Sequence, residues 1–400
     1  MLTRGYVVKL AVDQHVAVYV AEGLAKSGLL SLGINVKPVD FSLGYARLLR
    51  SVHSATLTSM PLEILFFGAG AIGAFYASRV ALDPDTNVSV TCRSNYSAVA
   101  KNGFKIASSQ YGDYNWRPTR TFNSIQAARD SRVKWDYVVV CTKALPNISD
   151  DSSLVEPVIT PDTAIVLIQN GLGVEQPYAQ RFPQSTILSA VTIASCAQIS
   201  DGHVKHNRWT RINVGPYFSD SSPSSPNVKD RATKQNQTFV DLLIKGGIKD
   251  AIPDTHEKLQ LVRWHKIAIN ASMNPSAVLS GGSNNEEMAS DSELYTHLKG
   301  VMDEILSTAP KVVGKPFPPS FASSEAILRS TQRNKSGSKP SMLLDWESGK
   351  PMELEVILGN PIRLAREKGF EMPRMQTLYA LLRMMEKNRE LKKQKAQAKL

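Results

Sequence analysis

The sequence predicts an α/β domain built on a mostly parallel sheet, followed by an all-helical domain. Three observations carry this expectation. A Gly-rich turn joins an apolar strand to a helix within residues 63–82. Short apolar strands then alternate with helical stretches as far as residue 169. After a polar stretch ending at 237, the apolar spacing becomes that of helices.

The bulk composition is compatible with that plan and excludes several others. The chain has 400 residues, 42% of them hydrophobic, enough for two real cores. Charged residues make up 21%, which argues against wholesale disorder. No apolar run approaches the roughly 20 residues that span a bilayer. The longest runs, such as Val138-Val139-Val140-Cys141, have strand length, so no membrane insertion is expected. Cys92, Cys141 and Cys196 lie far apart and lack metal-ligand spacing. They read as small buried residues in a reducing compartment, and no metal is expected.

The net charge of +11 raises the question of nucleic acid. Much of that charge sits at the ends. Residues 386–400 hold six basic side chains against two acids, and residues 1–60 hold six against three. The tail reads first as a solvated basic helix end, with an anionic partner as the alternative. Nucleic acid is not expected to be the main ligand.

Taken in order, residues 1–60 show no strand–helix alternation and read as an extension of uncertain order, or as an upstream start. An Arg- and Ser-containing stretch at 45–54 resembles a mitochondrial transit segment placed away from the N-terminus where such signals belong. A cytoplasmic location is expected, with a mitochondrial one as the alternative. Residues 61–237 read as the sheet domain. Its strands fall at 63–67, 87–92, 137–142 and 163–169, with a helix at 71–82. Strands at 186–199, 203–205 and 211–214 are expected to close it with an antiparallel edge. Residues 219–237, rich in Ser, Pro, Asn and Lys, read as an exposed loop. Residues 238–385 read as the helical domain, with helices at 238–245, 257–271, 292–312, 322–329, 352–368 and 376–399.

The strongest motif is Gly68-Ala69-Gly70-Ala71-Ile72-Gly73, a G-x-G-x-x-G turn. Alone such a pattern is weak. Here it follows the apolar strand Ile64-Leu65-Phe66-Phe67 and opens a helix, the context of a Rossmann-type dinucleotide site. Gly68 allows the tight turn, Gly70 lets the backbone approach a pyrophosphate, and Gly73 lets helix and strand pack closely. The helix N-terminus offers free N–H groups to the phosphates. An NAD site places an acid near the end of the second strand. This chain has Thr91-Cys92-Arg93-Ser94 there, and Arg93 suits a 2′-phosphate, so NADPH is expected over NADH. Lys143 and Asn170 follow the strands at 137–142 and 163–169. They occupy the carboxyl ends, where open α/β sheets bind ligands, and both read as cofactor contacts, Lys143 facing cofactor or substrate and Asn170 donating to the nicotinamide ribose or substrate.

Lys266, Asn270 and Asn274 are spaced by four, which makes one polar stripe on a helix. Such a stripe presents one ammonium and two amides to one pocket. The segment containing it, Trp264-His265-Lys266-Ile267-Ala268-Ile269-Asn270-Ala271-Ser272-Met273-Asn274-Pro275, resembles the W-x-K-x-x-x-N-x-x-x-N-P signature of ketopantoate reductases. Ser341-Met342-Leu343-Leu344-Asp345 resembles the S-M-x-Q-D segment of that family, and Glu353 falls twelve residues after Ser341. With the glycine turn and Gln169-Asn170-Gly171, four motifs occur in the family's order over residues 62–383. The resemblance implies NADPH-dependent reduction of a 2-oxo acid, 2-dehydropantoate to (R)-pantoate above others. It implies Lys266 as general acid with Glu353 as its partner in catalysis. Asn270, Asn274 and, more weakly, Asn284 would contact substrate, and Ser341 would meet its carboxylate. Burial, with Arg93 and Lys143 nearby, is expected to lower the Lys266 pKa. Leu344 and Leu358 stand where the family has Gln and Asn, which leaves a different keto substrate open. The competing function class is a recruited, non-catalytic member, mitochondrial and associated with nucleic acid. The intact Lys266, Asn270 and Glu353 set argues against it. A homodimer is an open expectation.

Overall fold

The protein is described here from a computed structural model, which covers residues 60–219 and 226–397. The expectations for residues 1–59 lie outside the described residues.

The sheet begins with β1 (Leu62–Phe67), followed by α1 (Ala71–Val80), β2 (Thr86–Thr91) and α2 (Tyr96–Asn102). Next come β3 (Phe104–Ser108), β4 (Gly112–Trp116), β5 (Thr121–Phe122), α3 (Ile125–Asp130) and β6 (Tyr137–Val140). The series continues with α4 (Asp151–Val155), β7 (Ala164–Leu167), α5 (Gln176–Arg181), and the long pair β8 (Thr186–Ser200) and β9 (His203–Pro216). The strand order is β4-β3-β9-β8-β7-β6-β1-β2-β5. β1 runs parallel to both β2 and β6, which lie on opposite sides of it, so the strand order switches sides at β1, and its carboxyl end is where such sheets bind ligands. β1 is buried on both faces. Ile64 and Phe66 face one core, and Leu65 and Phe67 the other. That explains its continuous apolar run.

Three sequence expectations are corrected by the sheet. The strands read at 203–205 and 211–214 are one strand, β9. The antiparallel pair β8–β9 lies inside the sheet, and the hairpin β3–β4 forms the edge beyond it. The loop read over 219–237 is helical from Pro226, as the start of α6 (Pro226–Lys245). Its polar composition hides its anchors. Ala232, Asn236, Phe239, Val240 and Leu243 are buried, and Asn236 donates to the Val214 carbonyl at 3.1 Å. The helix read at 238–245 therefore lies on the sheet, and β10 (Ala251–Pro253) extends the sheet beside β9.

The helical layer starts with α7 (His256–Leu279), capped by Thr255 and continuing through Pro275. It is followed by α8 (Asn285–Ser290), α9 (Ser292–Val313), α10 (Ser324–Gln332) and α11 (Ser341–Glu347). The single helix expected over 352–368 begins instead with a wide π-type turn, Glu355–Gly359, leading into α12 (Asn360–Glu367). Glu353 precedes the turn. Helix α13 (Pro373–Gln397) carries the basic tail. Ala144, Leu172 and Val174, from the loops after β6 and β7, belong to the core of this helical layer. Packing therefore ties the loops carrying Lys143 and Asn170 to the helices that face them. Among the described residues no helix is long and apolar enough to cross a membrane.

Candidate active site

The glycine turn has the geometry its spacing implies. Gly68 has φ +95°, and a Cβ there would sit 2.8 Å from Thr142 Cγ2 and 2.9 Å from the Thr142 nitrogen. A Cβ on Gly73 would lie 2.2 Å from the Gly68 carbonyl oxygen. A Cβ on Gly70 would meet nothing within 4 Å. The turn is thus closed on its protein side and open at Gly70. It is pinned by Asn95, buried, whose Nδ2 donates to the Ala69 carbonyl at 3.0 Å, and by the Ala69 N–H donating to the Thr91 carbonyl at 3.2 Å. Gly70 provides no side chain to cap α1, so the first-turn N–H groups from Ala71, Ile72 and Gly73 are not occupied by a side-chain cap. Arg93 is exposed just past β2. An open backbone approach, an uncapped helix N-terminus and an exposed guanidinium together fit a phosphorylated dinucleotide.

The second part of the site joins three distant segments. Lys266, half-buried on α7, donates from Nζ to Asn170 Oδ1 at 2.7 Å and to the Thr192 carbonyl at 2.7 Å. Asn170 Nδ2 donates to Glu353 Oε2 at 3.3 Å, and the Ala144 N–H donates to Glu353 Oε1 at 3.2 Å. The amide of Asn170 can bridge an ammonium and a carboxylate in only one orientation, oxygen to Lys266 and nitrogen to Glu353. Burial, then the nearby charge of Arg263, bring the Lys266 ammonium down to about 8, while Glu353 opposes the shift. The lowering expected from the sequence is present. Its cationic source is Arg263, one turn earlier on the same helix, where Arg93 and Lys143 had been expected. Burial also pushes the Glu353 carboxyl up, against the hydrogen bond from Asn170 and the charge of Lys143.

The other sequence-predicted residues divide. Asn270 lies half-buried on α7, one turn beyond Lys266. Asn274 is buried, and its Nδ2 has no hydrogen-bond partner among the described residues. A buried amide donor left unpaired is costly, so it marks a position where a ligand acceptor would be accommodated. Lys143 pairs with Asp345 of α11. Ser341 is exposed at the first position of α11. Asn284 caps α8, its Oδ1 accepting from the Glu286 and Glu287 N–H groups at 2.9 and 3.0 Å, and none of its hydrogen bonds reaches the Lys266–Asn170–Glu353 chain. Sequence reasoning missed the Thr192 carbonyl and the buried Arg263–Glu175 pair. Arg263, three residues before Lys266, carries only the faint signal of a charge inside the apolar run Leu261-Val262-Arg263-Trp264, and Glu175 carries none.

Comparison with known proteins then fixes the family. Residues 64–218 match the family model Ketopantoate reductase PanE/ApbA, and residues 258–386 match its C-terminal counterpart. The chain belongs to the ketopantoate reductase family. The crystal structure of 2-dehydropantoate 2-reductase from Methylococcus capsulatus superposes with a TM-score of 0.69 at 31% identity, covering 82% of this chain and 98% of that one. A 2-dehydropantoate 2-reductase of Nostoc sp. is 28% identical over 319 residues, spanning 80% of this chain and 93% of its own. An uncharacterized Saccharomyces cerevisiae protein is 28% identical over 350 residues, with 80% of this chain and 92% of its own covered. Leu358, one of the two positions where the sequence departs from the resemblance, is fully buried in the helical core. Leu344 is 47% exposed on α11, one turn from Ser341. This ketopantoate reductase family member therefore carries a hydrogen-bonded Lys266–Asn170–Glu353 chain and an exposed leucine on α11.

Proposed function

We propose that the chain reduces a 2-oxo acid with NADPH, with 2-dehydropantoate to (R)-pantoate as the first candidate. The observation that carries the reading is the Lys266–Asn170–Glu353 chain, with an ammonium brought to about 8 at the end of it. A bound nicotinamide would supply the hydride to the carbonyl carbon. Lys266 then gives a proton from Nζ to the carbonyl oxygen, yielding the 2-hydroxy acid and a neutral amine that is reprotonated from solvent. An ammonium with a pKa near working pH is suited to that transfer. Asn170 orients Nζ, and Glu353 supports the charged form before transfer. The unpaired amide of Asn274, with Asn270 on the same stripe, would bind polar groups of the substrate, and Ser341 its carboxylate. Gly68, Ala69, Gly70, Ala71, Ile72 and Gly73 would hold the pyrophosphate, Arg93 the 2′-phosphate, and Lys143 would border the cofactor. On this reading the chain serves pantothenate biosynthesis in the cytoplasm. A second substrate reading, a different 2-oxo acid, is favoured by one observation, the exposed Leu344 where the family has a polar residue.

The deciding experiment is NADPH oxidation against a panel of 2-oxo acids. Turnover with 2-dehydropantoate exceeding that with all others supports the first candidate. Turnover with another acid alone selects the second reading, and turnover with none refutes the reductase assignment.

A further inference from the structure

Arg263 is the most deeply placed cation among the described residues, 2% exposed, and the reduction above assigns it no step. All three guanidinium nitrogens are engaged. Nε donates to Ser189 Oγ at 2.7 Å and lies 2.8 Å from Glu175 Oε1. Nη1 donates to the carbonyls of Gln169 at 3.0 Å and Gly171 at 2.9 Å, and Nη2 donates to the Ala190 carbonyl at 3.2 Å. Ser189 completes the cluster by donating to Glu175 Oε1 at 2.6 Å.

The two carbonyls held by Nη1 flank one residue, Asn170. The same loop is held from its other side by the π-type turn. The Leu172 N–H donates to the Val356 carbonyl at 2.9 Å, and Asn360 Nδ2 donates to the Leu172 carbonyl at 2.7 Å. Gly171, at φ +97°, lets the two backbones meet, since a Cβ there would fall 2.3 Å from Val356 Cβ. Asn170 is thus mounted between a clamp on α7 and the segment that follows Glu353. Both Lys266 and Arg263 ride on α7, so the proton donor and the clamp are fixed to one rigid element.

We propose that Arg263 is a positioning residue, which through the Gln169 and Gly171 carbonyls holds Asn170 in register between Lys266 and Glu353. Stability alone does not account for it. A buried ion pair such as Arg263–Glu175 is commonly no better for stability than apolar residues of the same volume. The guanidinium fork supplies what apolar residues lack, several donors in fixed geometry aimed at a backbone loop. The inference rests on the reductase reading for its kinetic consequence, but the clamp itself can be observed without turnover.

Two variants of the full chain test it, Arg263→Lys and the double variant Arg263→Met/Glu175→Leu. The first keeps a charge and loses the fork. The second removes both charges, leaving neither unpaired. Amide hydrogen exchange of residues 168–174 is followed with and without NADPH, alongside kcat, KM, NADPH affinity and the pH profile of kcat. In both variants loop exchange should quicken at least tenfold, and kcat should fall about 100-fold, the scale of an ångström-level misplacement. NADPH affinity should stay within about threefold, because the glycine turn is untouched.

The pH profile separates loss of the Arg263 charge from loss of the clamp. The charged groups bearing on Lys266 are Arg263 on its own helix and Glu353 across Asn170; Glu175 acts on Arg263, and Lys143 and Asp345 act on Glu353. β8 presents to Lys266 the uncharged Thr192 carbonyl. With the guanidinium gone, the limb belonging to Lys266 should move upward in the double variant and stay near its original position in Arg263→Lys. If the double variant fails to fold, Arg263→Lys decides alone. Folded variants with wild-type loop protection, or with wild-type kcat, overturn the proposal. If the wild type turns over no 2-oxo acid, the reductase reading falls, and the exchange result still decides whether the clamp exists.

Discussion

The glycine turn and the Lys266 centre are built in opposite ways. The turn draws its function from one continuous segment, and its specificity is backbone geometry: a positive φ at Gly68, a close approach at Gly73, an open face at Gly70. The Lys266 centre takes single side chains from residues 170, 266 and 353, which only the fold links, through contacts of 2.7 and 3.3 Å to Asn170. The first kind of site tolerates little change in residue size and depends weakly on surrounding charge. The second depends on charge and burial, because a half-buried ammonium responds to each neighbour. A damaged turn should therefore lose cofactor and leave the chemistry intact. A damaged centre should do the reverse.

The largest expected effect tests that division directly. Lys266→Ala should lower kcat by about 10²–10⁴, the usual scale for a lost general acid, with NADPH affinity nearly unchanged. Single-turnover reduction and cofactor titration measure the two separately, and near wild-type kcat would move the proton donor elsewhere, Lys143 being the next candidate.

The converse experiment is Gly68→Ala. A side chain at φ +95° that also strikes Thr142 costs about 1–3 kcal/mol, so NADPH affinity should fall by roughly 10- to 100-fold. The Lys266 limb of the pH profile should stay in place at saturating NADPH. A shift of that limb would show that the two regions are not independent.

Changing pH probes the centre without a mutation. The Lys266 ammonium is lowered to about 8 from its ordinary 10.5, so the protonated acid is lost as pH rises through about 8. In the reducing direction kcat should be flat below that point and fall about tenfold per pH unit above it. The reverse oxidation, which needs the neutral amine, should rise over the same interval. A flat profile to pH 10 would deny Lys266 the role of acid.

The smallest expected effect concerns the turn's neighbour. Arg93→Asp should weaken NADPH by about tenfold and NADH by much less, since a charged hydrogen bond from the exposed Arg93 to a 2′-phosphate contributes at the low end of about 1.5–3 kcal/mol. Equal losses would remove Arg93 from the cofactor's selection.

Legibility followed the same line as the comparison. β1, the glycine turn, α1 and the stripe on α7 were readable because each is local, with an apolar period or a fixed spacing inside one segment. The hairpin β3–β4 escaped notice because it is short and only half apolar. The first half of α6 read as a loop because its polar sequence exposes most of its residues and buries an asparagine in place of a leucine. The π-type turn after Glu353 was invisible, since its extra width is needed only where the Val356 carbonyl accepts from Leu172, a partner far away in sequence.

By itself the sequence determined the elements and the residue types: a phosphate turn with no acid at the end of β2, a helix with an ammonium and two amides in line, a glutamate late in the chain. These follow from backbone sterics and helical periodicity, which act over a few residues. The tertiary structure decided which groups touch. It placed Asn170 between Lys266 and Glu353, turned Asn284 to a helix cap, and paired Lys143 with Asp345. It also buried Arg263 one turn from Lys266, where its charge helps to set the acidity of the ammonium. Coulomb energy and desolvation depend on distance and burial in space, and neither quantity exists until the chain has folded.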